Sequence, residues 1–325
     1  MPRLRRPDAM DCPPDTDTDP GAPAGIGLRP PHLAALLRGE AAVDLVEVHA
    51  ENHLAAGGPG PRALARVRER WPLTVHGVGL SIGGAAPLEA AHLARVAALV
   101  ERVEPLHFSE HLAWSGHAGR WFNDLLPLPY DAAALQRVCD HVDQVQQALR
   151  RPMLLENPSR YLGCAASTMD EADFLVAVVR RTGCRLLLDL TNALVTAVNQ
   201  GGDAAAFIDA LPADAVAQYH LAGCTPDRDA LGAPLLIDSH ARPVDEAVWA
   251  LYARALRRFG PQPTVVERDQ DLPPLPVLAA EADRARALMR ASARRAAADR
   301  PTGGAGGAGA PGRPAAAALR PVAHR

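Results

Sequence analysis

The stretch of sequence that decides the fold is residues 218–240, QYHLAGCTPDRDALGAPLLIDSH. Its apolar beginning, within AVAQYHLAG at 215–223, predicts a buried strand that carries His220 near its end. Asp238 and His240 follow a turn-rich loop and stand two residues apart, so both side chains point to one side of an extended segment. A carboxylate and two imidazoles that converge in this way are typical of a metal site.

Seven other segments have the same strand character, which makes eight in all. They are 25–29, 44–50, 73–79, 105–112, 152–158, 184–192 and 263–269. Helical patterns separate them, and one such helix has a single apolar stripe formed by Leu135, Val138, Val142, Val145 and Leu149. Apolar strands that alternate with helices predict a parallel sheet covered on both faces. Eight such units predict an α/β fold that closes into a (β/α)8 TIM barrel.

Composition sets the domain organisation. The chain has 325 residues, 48% of them hydrophobic, which is enough for one domain of barrel size. Residues 1–22 are rich in Pro and Asp and predict a disordered segment. Residues 299–325 are rich in Gly, Ala, Pro and Arg and predict a flexible tail. The barrel domain is therefore expected at 23–298.

Charge and cysteine usage limit the partners. A formal net charge of −3 gives no general attraction to nucleic acid. The five Cys residues are odd in number and have no CxxC spacing, which favours a reducing compartment over a disulfide framework. We find no signal peptide and no apolar run of about 18 residues in the sequence. We therefore expect a cytoplasmic protein without a membrane or nucleic-acid partner.

Polar side chains gather where the predicted strands end. In a TIM barrel the active site lies at the carboxyl ends of the strands. Seven successive segments finish in groups that can bind metal or transfer protons, namely Glu47, His49, Glu51, His53, His76, Glu110, His111, Glu156, Asn157, Asp189, Asn192, His220, Glu267 and Asp269. Burying so many ionisable groups is costly unless divalent cations compensate them. The number of ligands exceeds what one ion needs, so we expect two or three.

Each residue also has a simpler interpretation. Glu156 and Glu267 are close enough in sequence to Arg160 and Arg268 to be buried ion-pair partners. Asp189 has the position of an ordinary cap for the next turn. What favours the metal interpretation is the joint placement at one end of seven strands. Five further histidines are expected at the surface, namely His32, His92, His117, His141 and His324.

A family resemblance adds to these observations. The motifs GIGLR, VEVHAENHL, HGVGLSIGG, FSEHLAW, LLENPSRY, LLLDLTN, YHLAG, IDSHARPV and VVERD occur in this order. Together they closely resemble the multinuclear non-heme iron-dependent oxidases, a family that includes the methanobactin biosynthesis oxidase. The resemblance runs from about residue 25 to 288, and IDSH and HLAG are its specific signatures. It implies a barrel related to xylose isomerase-like TIM barrels.

The resemblance also implies a centre of two or three iron ions. Its ligands fall into three groups: His76, His111 and Glu156 around a first iron; Glu156, as a bridge, with Asp189, His220 and Glu267 around a second; and Asn192, Asp238 and His240 around a third, more labile ion. The six residues of the first two groups are also the catalytic candidates. Carboxylate and imidazole ligands keep iron redox-active and leave positions open for other ligands.

The implied reaction is the oxidation of Cys residues in a ribosomally made precursor peptide. Dioxygen would be the co-substrate, and a small partner protein would present the peptide. The chain departs from the usual family pattern at three positions near the expected ligands, namely Thr191, Cys224 and Arg268.

Three rival functions fit parts of the pattern. A zinc hydrolase of the endonuclease IV type shares the Asp-x-His order of Asp238 and His240, but Asn192 stands where that family has His. A sugar isomerase of the same superfamily would need a Lys and His motif for ring opening that we do not find. A non-catalytic metal-binding protein would bind metal without consuming dioxygen.

Overall fold

The computed structural model describes residues 21–117 and 119–298. The terminal segments predicted at 1–22 and 299–325 lie outside these ranges, apart from residues 21 and 22. Their flexibility therefore stays a prediction.

Twelve strands occur in the described part of the chain. They are β1 (Ala24–Gly27), β2 (Leu45–His49), β3 (Leu73–Gly77), β4 (Phe108–His111), β5 (Trp114–His117), β6 (Arg120–Leu126), β7 (Leu154–Glu156), β8 (Arg185–Asp189), β9 (Val216–Leu221), β10 (Thr225–Arg228), β11 (Pro234–Ile237) and β12 (Thr264–Val266). Eight of them close a barrel in the order β1-β12-β9-β8-β7-β4-β3-β2. Neighbours in this barrel pair in parallel, so their carboxyl ends form one rim.

Each of the eight predicted strand segments coincides with one strand of this barrel, with β1 beginning one residue earlier than predicted, so the TIM-barrel prediction is confirmed. Two antiparallel hairpins were not predicted. The hairpin β5–β6 follows β4, and the hairpin β10–β11 follows β9. Both begin where a barrel strand ends, so they extend from the rim that carries the predicted site.

Helices cover the outside of the barrel. They are α1 (Pro30–Arg38), α2 (Pro59–Arg68), α3 (Ala90–Val103), α4 (Ala132–Leu149), α5 (Glu171–Thr182), α6 (Leu190–Gln200), α7 (Ala204–Ala210), α8 (Glu246–Phe259) and α9 (Leu275–Ala298). The apolar stripe predicted from Leu135 to Leu149 lies on α4, and all five of its residues are buried in the core. Burial of such stripes against the sheet stabilises the barrel at about 25 cal/mol per Å² of apolar surface.

Two histidines that were expected at the surface are buried. His32 on α1 has its Nε2 2.8 Å from the carbonyl oxygen of Pro273, and His141 on α4 has its Nδ1 2.8 Å from that of Ile82. A backbone carbonyl that accepts from the ring offsets the cost of burying it. The surface expectation is therefore wrong for both residues.

None of the helices within 21–117 and 119–298 combines the length and the apolar character needed to cross a membrane.

Close approach of β1 and β2 gives a test of the barrel. A Cβ added to Gly25 would lie 1.8 Å from the carbonyl oxygen of Leu45, whereas one added to Gly27 would meet nothing nearer than the Arg29 guanidinium at 3.5 Å. We expect Gly25→Ala to lower the free energy of unfolding by about 1–3 kcal/mol or more, because backbone must move. Gly27→Ala, on the same strand, should cost much less. Denaturant titration of both variants checks this, and equal losses would contradict the closure of β1 on β2.

Candidate metal centre

Strand register brings the predicted ligands to one level of the barrel. His111 at the end of β4 is paired with Glu156 at the end of β7. Asp189 at the end of β8 is paired with His220 on β9. These four residues are almost fully buried. Because β4, β7, β8 and β9 are consecutive in the barrel, their polar ends meet inside it.

The first group consists of His76, His111 and Glu156. The Nε2 atoms of His76 and His111 are 3.3 Å apart, and each lies 3.2 Å from Oε2 of Glu156. Ser109 fixes the other side of the His76 ring, with its Oγ 2.8 Å from Nδ1. Three ligand atoms thus face one point, as a bound cation requires.

The second group shares Glu156 with the first. Nδ1 of His220 lies 3.6 Å from Oε1 of Glu156 and 3.1 Å from Oε2 of Glu267. Asp189 completes this group, since one ligand atom each of Glu156, Asp189 and His220 lie within 4.8 Å of one another. Glu156 therefore points one oxygen at each group.

The third group is built around the loop after β11. Oδ1 of Asp238 lies 2.8 Å from Nε2 of His240, so this predicted pair does converge. Ser159 donates to the other Asp238 oxygen at 3.1 Å, and the Asp238 backbone N–H donates to the Tyr161 hydroxyl at 2.9 Å. His240 also joins Asp189 and Glu267 in a cluster within 4.8 Å, which places the third group beside the second.

Asn192, the third predicted member of this group, lies in the first turn of α6. Its backbone N–H donates to Oδ1 of Asp189 at 2.8 Å, and its side-chain amide donates to the carbonyl of Asn157 at 3.0 Å. These bonds hold the Asn192 side chain and leave its carbonyl oxygen without a partner. Asp189 thus does cap α6, as the simpler interpretation had it, but with one oxygen only.

Unpaired buried atoms test whether these residues fit a metal. Among the described residues, several buried side-chain nitrogen and oxygen atoms have no hydrogen-bond partner. They include Glu47 Oε1, His111 Nδ1, Glu156 Oε2, Asp189 Oδ2, Asn192 Oδ1, His220 Nδ1, Asp238 Oδ1 and His240 Nε2. Buried polar atoms normally have a partner, so a cluster of unpaired acceptors needs an explanation. In Asp189 and Asp238 one oxygen is fixed by a hydrogen bond while the other is free. Carboxylate and imidazole atoms in this state fit divalent cations.

When no cation is bound, protons on the histidines and carboxylates offset the buried negative charge. Burial lowers the pKa of His111, but the carboxylates of Glu156, Glu110 and Glu267 together outweigh this and raise the pKa to about 9. Burial and the Glu156 carboxylate raise the pKa of Asp189 well above its usual range. The pKa of His220 is also raised, because Glu267 and Glu47 outweigh the effect of burial. A cation that enters must therefore displace protons.

Several strand-end residues do not join the three groups. Glu51 lies 3.1 Å from His92, and His49 lies 3.1 Å from the guanidinium of Arg29. Glu110 accepts from the backbone N–H groups of Leu80 and His111. These side chains support the rim without facing the shared points.

The ion-pair interpretation of two glutamates is wrong. Arg160 pairs with Glu171 at 3.0 Å, not with Glu156, and Arg268 pairs with Glu281 at 2.9 Å, not with Glu267. Both glutamates are therefore left to the metal groups.

The positions where the sequence departs from the family pattern make contacts of their own. The Thr191 hydroxyl donates to the carbonyl of Ala222 at 3.0 Å, and the Cys224 thiol donates to Asp245 at 3.3 Å. Nη2 of Arg268 pairs with Glu281, so each of the three side chains has at least one structural partner.

Sequence reasoning missed Ser159, Tyr161 and Gln218. Ser159 and Tyr161 fix Asp238 from the loop after β7, and Gln218 donates to Glu47 at 2.7 Å. The signal that could have found them was their position: two closely follow Glu156 and one lies two residues before His220.

Comparison with known proteins agrees with this geometry. Residues 23–290 match the family described as "RiPP precursor modification enzyme MbnB/TglH/ChrH". The chain belongs to this family. It is 53% identical over 272 residues to a UPF0276 protein of Bordetella bronchiseptica, which covers 83% of this chain and 94% of the relative. It is 49% identical over 267 residues to a UPF0276 protein of Rhizobium meliloti, over 82% of this chain and 86% of the relative.

Solved structures support the fold. L-ribulose 3-epimerase is similar with a TM-score of 0.58 at 16% identity, over 87% of this chain and 99% of that one. Endonuclease IV from Thermus thermophilus is similar with a TM-score of 0.52 at 16% identity, over 85% of this chain and 100% of that one. The chain thus has the xylose isomerase-like barrel that epimerases and endonuclease IV share. Identities this low show the fold alone.

Proton displacement gives a test of the centre. His111 has a pKa of about 9, so it holds a proton below that pH, and Zn²⁺ must displace it. We expect affinity for Zn²⁺ to rise as the pH increases from about 6.5 to about 9 and then to level off. Titration calorimetry in two buffers of different ionisation enthalpy should show proton release. His111→Gln should bind more weakly with a shallower pH dependence. Binding without proton release would contradict this ligand set.

Proposed function

We propose that this protein is a multinuclear iron- and dioxygen-dependent oxidase that modifies Cys residues of a ribosomally synthesised precursor peptide. The family to which the chain belongs supports a peptide substrate. The observation that carries the metal part is the cluster of unpaired, buried carboxylate and imidazole atoms at the barrel rim. The proposal includes a small partner protein that presents the peptide and a reaction in the cytoplasm, both as the sequence led us to expect.

The ligand set supports iron. Among the described residues, the ligand atoms that converge within 4.8 Å form four overlapping clusters of His, Glu and Asp with no thiolate, and one of these clusters joins Glu47 to His220 and Glu267. Such oxygen and nitrogen donors suit iron as well as other divalent ions, and they lack the thiolates of a structural zinc site built from four cysteines. Bound iron would pass electrons from the substrate thiol to dioxygen, so that the Cys residue is oxidised as dioxygen is reduced.

Each of the three groups would hold one ion. His76, His111 and Glu156 would hold the first ion. Asp189, His220 and Glu267 would hold the second, with the two oxygens of Glu156 serving both. Asn192, Asp238 and His240 would hold the third. An amide oxygen is a weaker ligand than an imidazole or a carboxylate, which makes the third ion the easiest to lose.

The solvent exposure of the ligands supports an order in which a substrate would reach the three groups. The His220 side chain is 0% exposed and that of His76 3%, whereas those of His240 and Asp238 are 15% and 17% exposed. A peptide thiol that arrives from solvent therefore meets the side of Asp238 and His240 first. The two deeper groups stay shielded from water, where electrostatic interactions are stronger.

Metal content and turnover give the first test. Protein purified without oxygen from iron-supplied cells should contain at least two iron ions per chain by elemental analysis. With a Cys-containing precursor peptide and its partner it should consume dioxygen, and mass spectrometry should show the modified peptide. The zinc-loaded protein is the control and should consume none. Stoichiometric zinc as purified, with no activity after iron reconstitution, would contradict the oxidase.

A pair of variants tests the division of the ions. Glu156→Gln should lower iron at two positions, because an amide cannot supply two anionic oxygens. Replacing Asp238 and His240 by Ala should remove about one iron per chain and leave the fold intact. Glu171→Gln changes a buried carboxylate that pairs with Arg160 outside the centre and should retain all iron. Elemental analysis with Mössbauer spectra measures this. Loss of every iron in the double Ala variant would contradict a separable third ion.

A further inference from the structure

Glu47 is a buried carboxylate outside the three ligand groups proposed above, although one ligand atom each of Glu47, His220 and Glu267 also lie within 4.8 Å of one another. It points into the barrel from β2 and is 1% exposed. Its Oε2 accepts from the hydroxyl of Thr74 at 2.8 Å and from the amide of Gln218 at 2.7 Å. Its Oε1 has no hydrogen-bond partner and lies 2.8 Å from Nε2 of His220. A charge buried this deeply needs a function that offsets its desolvation.

The two edges of the His220 ring face different partners. Nδ1 faces the metal group, with Glu267 at 3.1 Å and Glu156 at 3.6 Å. Nε2 faces Glu47. An imidazole that offers the lone pair of Nδ1 to a cation must carry its proton on Nε2. The closest carboxylate to that proton is Glu47.

We propose that Glu47 is a positioning residue that holds His220 with Nε2 protonated and Nδ1 directed at the cation. The inference rests on the metal centre proposed above. A carboxylate behind a ligating histidine fixes the tautomer and the orientation of the ring and makes the ligand more basic. Glu47 thus acts through His220, because it faces Nε2 of the ring whereas Glu267 and Glu156 face Nδ1.

Gln218 and Thr74 hold Glu47 in this position. Nδ1 of His107 lies 3.1 Å from Oε1 of Gln218, which directs the amide nitrogen of Gln218 toward Glu47. Thr74 approaches the same Glu47 oxygen from β3. With His220, three donors converge on one carboxylate. Glutamine at position 47 has a single acceptor oxygen for these three donors, so it cannot replace the carboxylate.

Binding of Co²⁺ without dioxygen or peptide tests the inference. We expect Glu47→Gln to weaken Co²⁺ binding at the most affected site by about 10–100-fold. The visible absorption bands of the bound ion should shift, since they report how the ligands are arranged.

Thr74→Val, which removes one support of Glu47 and leaves its charge, should weaken binding less. Thr74→Ser keeps the hydroxyl and should bind Co²⁺ like the parent. Glu171→Gln is the control for loss of a buried carboxylate and should leave both the affinity and the bands unchanged.

The outcomes separate the inference from the proposed centre. If the parent binds Co²⁺ and Glu47→Gln binds it equally well with the same bands, the inference is wrong and the centre stands. If Glu47→Gln does not fold, the Thr74 pair decides: equal affinity of Thr74→Val and Thr74→Ser overturns the inference. If the parent binds no Co²⁺, the centre and the inference fail together.

Discussion

The structure depends on how it compensates an excess of carboxylates inside the barrel. Four of them, Glu47, Glu156, Asp189 and Glu267, are buried at one level with the rings of His76, His111 and His220. Isolated charges in such a place would cost several kcal/mol each. Protons reduce the cost, which is why His111 and His220 have raised pKa values. Divalent cations would reduce it further, because one cation serves several carboxylate oxygens at once.

The barrel makes this arrangement possible because parallel strands hold their register. His111 pairs with Glu156 and Asp189 pairs with His220, each pair across two neighbouring strands. Helices on the outside bury their apolar stripes and keep these strands in place. The apolar layer between sheet and helices therefore stabilises the strands that carry the polar cluster. Ligands on such strands are held more precisely than ligands on loops, which suits the two deeper groups.

Local patterns in the sequence were enough for the barrel strands and for most of the site. Alternation of apolar runs with helical stripes indicated the eight strands, and the position of Glu156, Asp189 and His220 at their ends indicated the convergence.

Long-range contacts could not be predicted in this way. Ser159 reaches Asp238 across 79 residues of sequence, and nothing local to either residue indicates the contact. His141 is buried because the Ile82 carbonyl accepts from it, which only the packed structure reveals. The hairpins had no local signal either, because three of their strands have only four residues and the longer one, β6, is mostly exposed.

The most informative feature of the centre is that, in two of its carboxylates, one oxygen is held by a hydrogen bond and the other is not. Oδ1 of Asp189 caps α6 and Oδ2 of Asp238 accepts from Ser159, while the second oxygen of each has no partner. Unpaired buried atoms also occur elsewhere among the described residues, for example Oε1 of Glu171. What distinguishes the centre is that ligand atoms of His, Asp and Glu lie within 4.8 Å of one another in four overlapping clusters. Glu156 connects the first of these clusters to the second through separate oxygens. The ions would thus interact electrostatically through one side chain, and a change at one would alter the affinity of the other.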